Sequence, residues 1–318
     1  MRIRIRRGQH SNSSATAYRF PIRARSWRQT AIGLLFALPW VVGFLSLFLY
    51  PLVASIYYSL TRYDLLTPPW FVGLENYRQL FADKLVRKAL YNTAYLSWCI
   101  VPLNNLAGLV LALLLDTRLR LQSFFRTIFY LPSLVPVVAL SVMWRYILDP
   151  NFGLLNGILA AMGLPGQGWL SNPHLSKPSL VLISMWGVGG VTILYLAALQ
   201  GVPVSLYEAA RIDGASQRHC IWHITIPMIS PTILFCVITG LIGTFQYFTQ
   251  AYMLTPWGGA AYSTLTYAVY LFENAFSWMR MGYASAMAWV LFGVTSVLTL
   301  LLFRTSARWV YYGYGSDR

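Results

Sequence analysis

The residues best placed to do chemistry lie between Pro203 and Pro231. Ser205 and Glu208 stand three apart, the spacing of a capping box: the hydroxyl serves the N3 amide and the carboxylate returns to the N-cap amide. This predicts a short helix over 206–213, about 12 Å long at 1.5 Å per residue. Gly214 can take the left-handed conformation that ends such a helix. A second helix is expected from Ala215 toward Pro227, which would close it. The result is a helix–glycine–helix elbow. Ala209, Ala210 and Ala215 are small enough to let a partner come close. On these residues alone, Glu208 could equally do no more than cap and Gly214 no more than turn the chain. In either case the chemistry is that of contact, not of bond making.

Reactive constellations are missing elsewhere. The phosphate-cradling pattern G-x4-G-K-[ST] does not occur. The three lysines, Lys84, Lys88 and Lys177, follow Asp, Arg and Ser, never Gly. His10, His174, His219 and His223 are scattered; only His219 and His223 have a ligand-like spacing of four, and no third ligand is near. Cys99, Cys220 and Cys236 match neither a zinc site nor a disulfide framework and read as small apolar residues. The sequence therefore predicts no metal site and no catalytic group.

The elements around the elbow are membrane spans. Of 318 residues, 57% are hydrophobic and only 10% charged, against roughly 25% charged in soluble domains. Six apolar stretches, near 31–60, 89–115, 124–148, 179–200, 229–250 and 283–303, each reach the length of about 20 residues that a helix needs to cross a bilayer. They are continuous rather than alternating, which excludes an outer-membrane barrel. Prolines and glycines at 39, 51, 102, 132, 136, 187, 189 and 190 predict kinks or close helix contacts. The fold class is all-α: a polytopic membrane protein of six transmembrane helices. Between the third and fourth stretches, Gly153–Leu159 is too short to span and reads as an interfacial helix. Arg145 and Asp149, four apart, are expected to pair. Tryptophans 70, 144, 169, 257 and 278 fall where an outer aromatic belt would lie.

Charge sets the orientation. The net charge is +15, and eight arginines (2, 4, 6, 7, 19, 23, 25 and 28) precede the first acid, Asp64. Such a segment suits the anionic cytoplasmic leaflet rather than nucleic acid. With the N-terminus inside, 16 Lys/Arg fall on inner segments and 8 on outer ones, so both termini are expected in the cytoplasm. The basic loop 61–88 runs against this count, softened by Asp64, Glu75 and Asp83. Three regions follow: a basic tail 1–30, a transmembrane region 31–305 holding the elbow 203–231, and a C-terminal tail 306–318. The apolar stretch after the tail is too long for a cleavable signal; the acid-free start also looks like a transit peptide.

The spacing Glu208-Ala209-Ala210-x3-Gly214-x9-Ile224-x-Ile226-Pro227 resembles the EAA signature of permease subunits of ABC importers, departing only in Ile226 for Leu. Phe71–Tyr77 with Asn92-Thr93, Leu131–Pro136, Gly153-x2-Asn156-x2-Leu159 with Trp169-Leu170, and Met281–Ala286 resemble MalF-type carbohydrate permeases. The likeness covers about 30–305. It departs at Leu254–Gly259, where the family often has Thr-x-Gly-Gly-Pro, which leaves the shape of the last outer loop open. The family is prokaryotic, so the transit-peptide reading falls away and the expected location is the plasma (inner) membrane.

The resemblance implies a type I importer in which this chain pairs with a second, different permease. Two ABC ATPases would bind ATP and Mg outside this chain, and an extracytoplasmic sugar-binding protein would deliver substrate. Glu208, Ala209, Ala210, Gly214, Ile224 and Pro227 would form the ATPase-coupling loop. Ser133, Ser184, Thr244 and Tyr247 resemble sugar-lining positions, with Trp186 beside them. Each hydroxyl could equally bond a helix carbonyl. The alternative is an ion-coupled secondary transporter, which would more naturally show an intramembrane acid or inverted repeats.

Overall fold

The computed structural model describes residues 27–117 and 122–311. The arginines of the basic tail up to residue 25, Arg118, Arg120 and the C-terminal Arg318 lie outside the described residues. The chain separates into two units, one ending at Val53 and one beginning at Ala54.

In the first unit, α1 (Trp27–Gly43) carries Pro39 and passes into a π-helical turn, Phe44–Leu49. Wide turns of this kind accommodate a missing backbone donor. Trp40, Phe44 and Phe48 stack along it, with ring centroids 5.5 and 5.3 Å apart. α2 (Tyr50–Ser59) continues the helix. The apolar side chains here are exposed, as on a surface built for lipid.

The second unit opens with a two-residue antiparallel pair, β1 (Thr61–Arg62) and β2 (Trp70–Phe71), followed by α3 (Glu75–Ala82). Asn76 donates to the Ser59 and Thr61 carbonyls at 2.9 and 2.8 Å, and Tyr77 Oη to Ser59 Oγ at 2.9 Å. The Phe71–Tyr77 motif thus clasps the C-terminal end of α2. α4 (Lys84–Asp116) is capped by Asp83, which accepts from the Leu85 amide at 2.8 Å, and it runs through Pro102 unbroken. It is the central rod, packed against α8, α9, α12 and α14, defined below.

The third apolar stretch is bent where Pro132 and Pro136 predict a kink. α5 (Gln122–Tyr130) leads through a 3₁₀ turn, Leu131–Leu134, into α6 (Val137–Ile147), with a bend of 94°. Pro132 and Pro136 cannot donate to a continuing ladder, and the residue before each is steered away from α. The fourth stretch bends by 45° between α8 (Pro173–Met185) and α9 (Gly189–Gln200). A Cβ on Gly189 would lie 2.1 Å from the Phe129 carbonyl oxygen, so glycine is what lets α9 close on α5. Four helices of the described residues are long and apolar enough to cross a membrane, or up to six if each bent pair counts as one span.

Between the bent pairs, α7 (Leu154–Ala161) is the expected short helix. Asn156 donates to the Pro150 and Gln167 carbonyls and accepts from the Gln167 amide and Trp169 Nε1, all at 2.9–3.0 Å. The Arg145–Asp149 pair does not form. Asp149 Oδ1 takes the Asn151 and Phe152 amides instead, at 2.9 and 3.2 Å, because a carboxylate two residues before an amide closes an Asx turn at little entropic cost.

After the elbow come α10 (Val204–Ile212), α11 (Gln217–Cys220), α12 (Ile226–Phe245), α13 (Thr249–Leu254), α14 (Tyr267–Phe272) and α15 (Met281–Ser306). The loop whose shape the sequence left open is two 3₁₀ turns with left-handed backbone at Trp257, Gly258, Gly259, Ala261 and Tyr262. One core gathers α4, α6, α8, α13, α14 and α15 around Leu96, Ile183, Tyr267 and Met287; a second joins α4, α9 and α12 around Ala112, Tyr195 and Ile229.

Candidate functional site

The elbow folds as helix, left-handed glycine, helix, with two corrections to its ends. α10 begins at Val204, two residues before the expected start, because Pro203 at the N-cap already supplies a helix-compatible φ of −59°. Ser205 therefore sits inside the helix, no side-chain capping bond forms, and the Ser205–Glu208 box is not made. Glu208 is exposed, and its carboxylate has no hydrogen-bond partner among the described residues. Gly214 has φ +77°, with no atom within 4 Å of where a Cβ would lie.

The second arm starts with Ser216, which accepts from the His219 amide at 3.3 Å. His219 and His223 stack at 3.9 Å, and His223 Nδ1 lies 3.1 Å from the His219 carbonyl oxygen. Pro227 does not end this arm. A π-helical turn over Ile221–Thr225 precedes it, and the helix continues through Pro227 and Pro231 to Phe245. The wide turn shifts the hydrogen-bond ladder just where proline withdraws a donor.

The two arms are joined by Tyr207, whose Oη lies 2.9 Å from Thr225 Oγ1. Tyr207, Ile224 and Met228 pack on the Ala112–Tyr195–Ile229 core. Of α10 only Tyr207 and Ala210 are partly covered. Val204, Leu206, Ala209 and Ile212 are exposed, Ile212 at 87%. A short helix has apolar residues and a free carboxylate on its outward side, and the rest of the unit grips it by one tyrosine.

The expected substrate residues are only partly brought together. Ser184 Oγ donates to the Leu180 carbonyl at 2.8 Å and lies 3.3 Å from Tyr247 Oη. Thr244 Oγ1 lies 2.8 Å from Ser97 Oγ and 3.0 Å from the Gly240 carbonyl oxygen. Trp186 is exposed and meets Trp144 edge to face at 5.6 Å. Ser133 Oγ bonds the Tyr130 carbonyl in its own turn, at 2.7 Å. Sequence reasoning misses Ser97 and Trp144. The Trp144 indole nitrogen is buried without a partner among the described residues, so next to Trp186 there is a donor still to be satisfied. In the sequence the tryptophan is visible only as a member of the aromatic belt.

The profile of binding-protein-dependent transport system inner membrane components matches residues 104–311. The chain belongs to that family. Among relatives, the probable ABC transporter permease YesP of Bacillus subtilis (strain 168) is 37% identical over 91% of this chain and 95% of its own. The lactose transport permease LacF of Rhizobium radiobacter is 36% identical, covering 85% and 92%. The diacetylchitobiose uptake permease NgcF of Streptomyces coelicolor is 36% identical, covering 80% and 76%. A crystal structure of a bacterial alginate ABC transporter, in complex with its alginate pentasaccharide-bound periplasmic protein, contains a chain that superposes with a TM-score of 0.77 at 25% identity, over 89% of this chain and 98% of that one.

This permease is therefore a multi-pass membrane subunit of an ABC importer that works with a binding protein, and it is not itself an enzyme. The ion-coupled alternative finds no support among its relatives.

Proposed function

We propose that this permease forms half of the pathway of an ATP-driven sugar importer and takes its power stroke through the elbow 203–231. The observation that carries the reading is the uncovered outer side of α10, with Ile212 87% exposed and Glu208 free of partners among the described residues. Such a helix needs a groove on a partner, and in this family's architecture that partner is an ATPase. Glu208, Ala209 and Ala210 enter the groove, Gly214 makes the bend, and Ile224 and Pro227 carry the second arm into α12. ATP and Mg sit in the two ATPases. Closure of the ATPase pair moves the elbow as a rigid body and swings the rods between two states.

In the same reading each bent pair is one span, so six helices cross a prokaryotic inner membrane with both termini in the cytoplasm. The basic tail 1–30 and the C-terminal tail 306–318 flank the transmembrane region 31–305, and a second, different permease completes the pathway. The cargo is a neutral saccharide. Relatives named for lactose and diacetylchitobiose uptake support the class. Ser184, Thr244, Tyr247 and Trp186, with Ser133 further along, supply hydroxyls and aromatic faces, and the unpartnered Trp144 indole adds a donor.

The test is uptake of a sugar panel by cells carrying the whole transporter, with Glu208→Ala and Ile212→Cys variants. The reading expects ATP-dependent uptake and its loss in Glu208→Ala with the complex still assembled. In Ile212→Cys it expects the introduced thiol to be labelled only from the cytoplasmic side when the ATPases are left out, and to be shielded when they are present. Labelling from outside, or undiminished uptake in Glu208→Ala, overturns the coupling role.

A further inference from the structure

A second cavity is lined by residues that belong neither to the elbow nor to the Ser184–Tyr247 contact. Glu273, in the π-helical turn after α14, is 3% exposed, and its Oε2 is buried with no hydrogen-bond partner among the described residues. A buried carboxylate left in that condition is costly unless something donates to it. Glu273 forms part of the wall of a cavity of about 250 Å³ that is otherwise mainly aromatic: Trp257, Tyr262, Tyr270 and Trp278. Tyr270 already gives its hydroxyl proton to Asp83 at 2.6 Å, so it offers the cavity a ring and no donor. Trp257, Tyr262 and Trp278 are exposed, at 57, 47 and 42%.

The rim is also strained. Trp257 and Tyr262 hold left-handed backbone, with φ +58° and +56°, as does Ala261 between them at +53°. A side chain with a Cβ crowds its own carbonyl in that region, and this kind of strain concentrates at binding sites. Glycines occupy 258 and 259, where a Cβ would meet Leu265 and Thr264 at 2.5 and 2.8 Å. The loop is thus held tightly against its own floor while it presents two large rings in an unfavourable backbone.

We propose that the Glu273 cavity is a second saccharide-binding site, in which one sugar ring stacks on the Trp257 or Trp278 face and a ring hydroxyl donates to the Glu273 carboxylate. The cavity is smaller than the roughly 300–1,000 Å³ of drug-sized pockets, which suits a single ring rather than an oligosaccharide. Aromatic walls accept the C–H faces of a pyranose, and a carboxyl oxygen can accept from a sugar hydroxyl. The expected location of residues 255–280, outside the membrane, makes this a holding position before the pathway. The site rests on the sugar reading above and extends it.

The test uses the intact transporter in nanodiscs without its binding protein, with D-glucose, D-galactose, L-arabinose and N-acetylglucosamine added singly and binding read by saturation-transfer NMR. The expected result is binding of at least one sugar, weakened about tenfold by Glu273→Gln, the loss of one charge-assisted hydrogen bond, and likewise by Trp257→Ala, which changes an exposed side chain. ATPase activity and elution volume report whether the variants are folded. Binding unchanged by both variants, no binding by the wild type, or tetramethylammonium competing in place of sugar overturns the site. If the whole transporter takes up no saccharide in cells, the sugar reading itself fails; normal uptake with unaltered NMR binding fails this site alone.

Discussion

Asp83 ties three elements together. It caps α4 through the Leu85 amide and accepts the hydroxyls of Tyr270 and Tyr283 at 2.6 and 2.9 Å. Burial pushes its carboxyl up, but the Tyr270 hydroxyl, the Leu85 amide and the Tyr283 hydroxyl outweigh that and hold it below the ordinary value of 3.8. The same contact, after burial, helps push the Tyr270 phenol up to about 12. Because the folded carboxyl is the stronger acid, its contribution to stability is complete above 3.8 and is lost as pH falls through the lower folded value. Thermal unfolding in detergent should therefore lose stability as pH falls below about 4, and Asp83→Asn should lower stability at neutral pH and flatten that acid limb. Gly214 makes a second prediction at this scale. Its positive φ is the only obstacle to a side chain, since the space is open. Gly214→Asn should preserve uptake better than Gly214→Val, because Asn tolerates the left-handed region and a β-branched residue does not.

At the scale of elements, glycines at contacts decide how closely helices approach. Gly189 against Phe129 and Gly282 against Thr61 would each place a Cβ near 2 Å from a carbonyl oxygen, at 2.1 and 2.0 Å. Either changed to Ala should destabilise the purified protein by about 1–3 kcal/mol through overpacking, read as a lower melting midpoint, whereas Gly293→Ala, with open space around it, should not. The apolar runs make the spans legible, and the Gly-Pro punctuation marks where they bend. The size of the bends is not legible: 94° at Pro136 and 45° near Gly187 depend on what each half packs against. The Ser–Glu spacing points to a later start for α10 than the one observed, since Pro203, with its fixed φ, nucleates the helix earlier. Pro227 reads as a stop in the sequence because the wide turn before it has no sequence mark. Glu273 is equally hidden: a single acid beside an apolar run reads as an end charge until its burial is seen.

At the scale of the whole molecule, the described chain exposes far more apolar surface than a soluble protein could carry. Trp27, Phe36, Leu47 and Trp98 are each more than 80% exposed. Much of that surface is for lipid, and the remainder is for the other subunits of the importer. Purification without detergent or lipid should give aggregates, whereas co-expression with its binding-protein system should raise the yield of monodisperse material, measured by size exclusion. The long-range ties that hold the second unit together run between distant stretches. Asn92 donates to the Tyr262 and Leu265 carbonyls, and Thr93 accepts from the Tyr267 amide, each at 2.9 Å. The Asn92-Thr93 pair is recognisable in the sequence as a family feature, but its partners, 170 residues away in the case of Tyr262, are not.

The Tyr207–Thr225 bond has a consequence for energy transmission. In the proposed coupling role it would brace the two limbs of the hinge like a strut across a bracket, so that torque applied to one limb would reach the other without slack. Removing the strut in Tyr207→Phe would leave every limb folded yet let the bracket flex. The importer should then burn nucleotide at close to its usual rate while delivering little cargo, a slipping clutch visible as a raised ratio of phosphate released to solute accumulated.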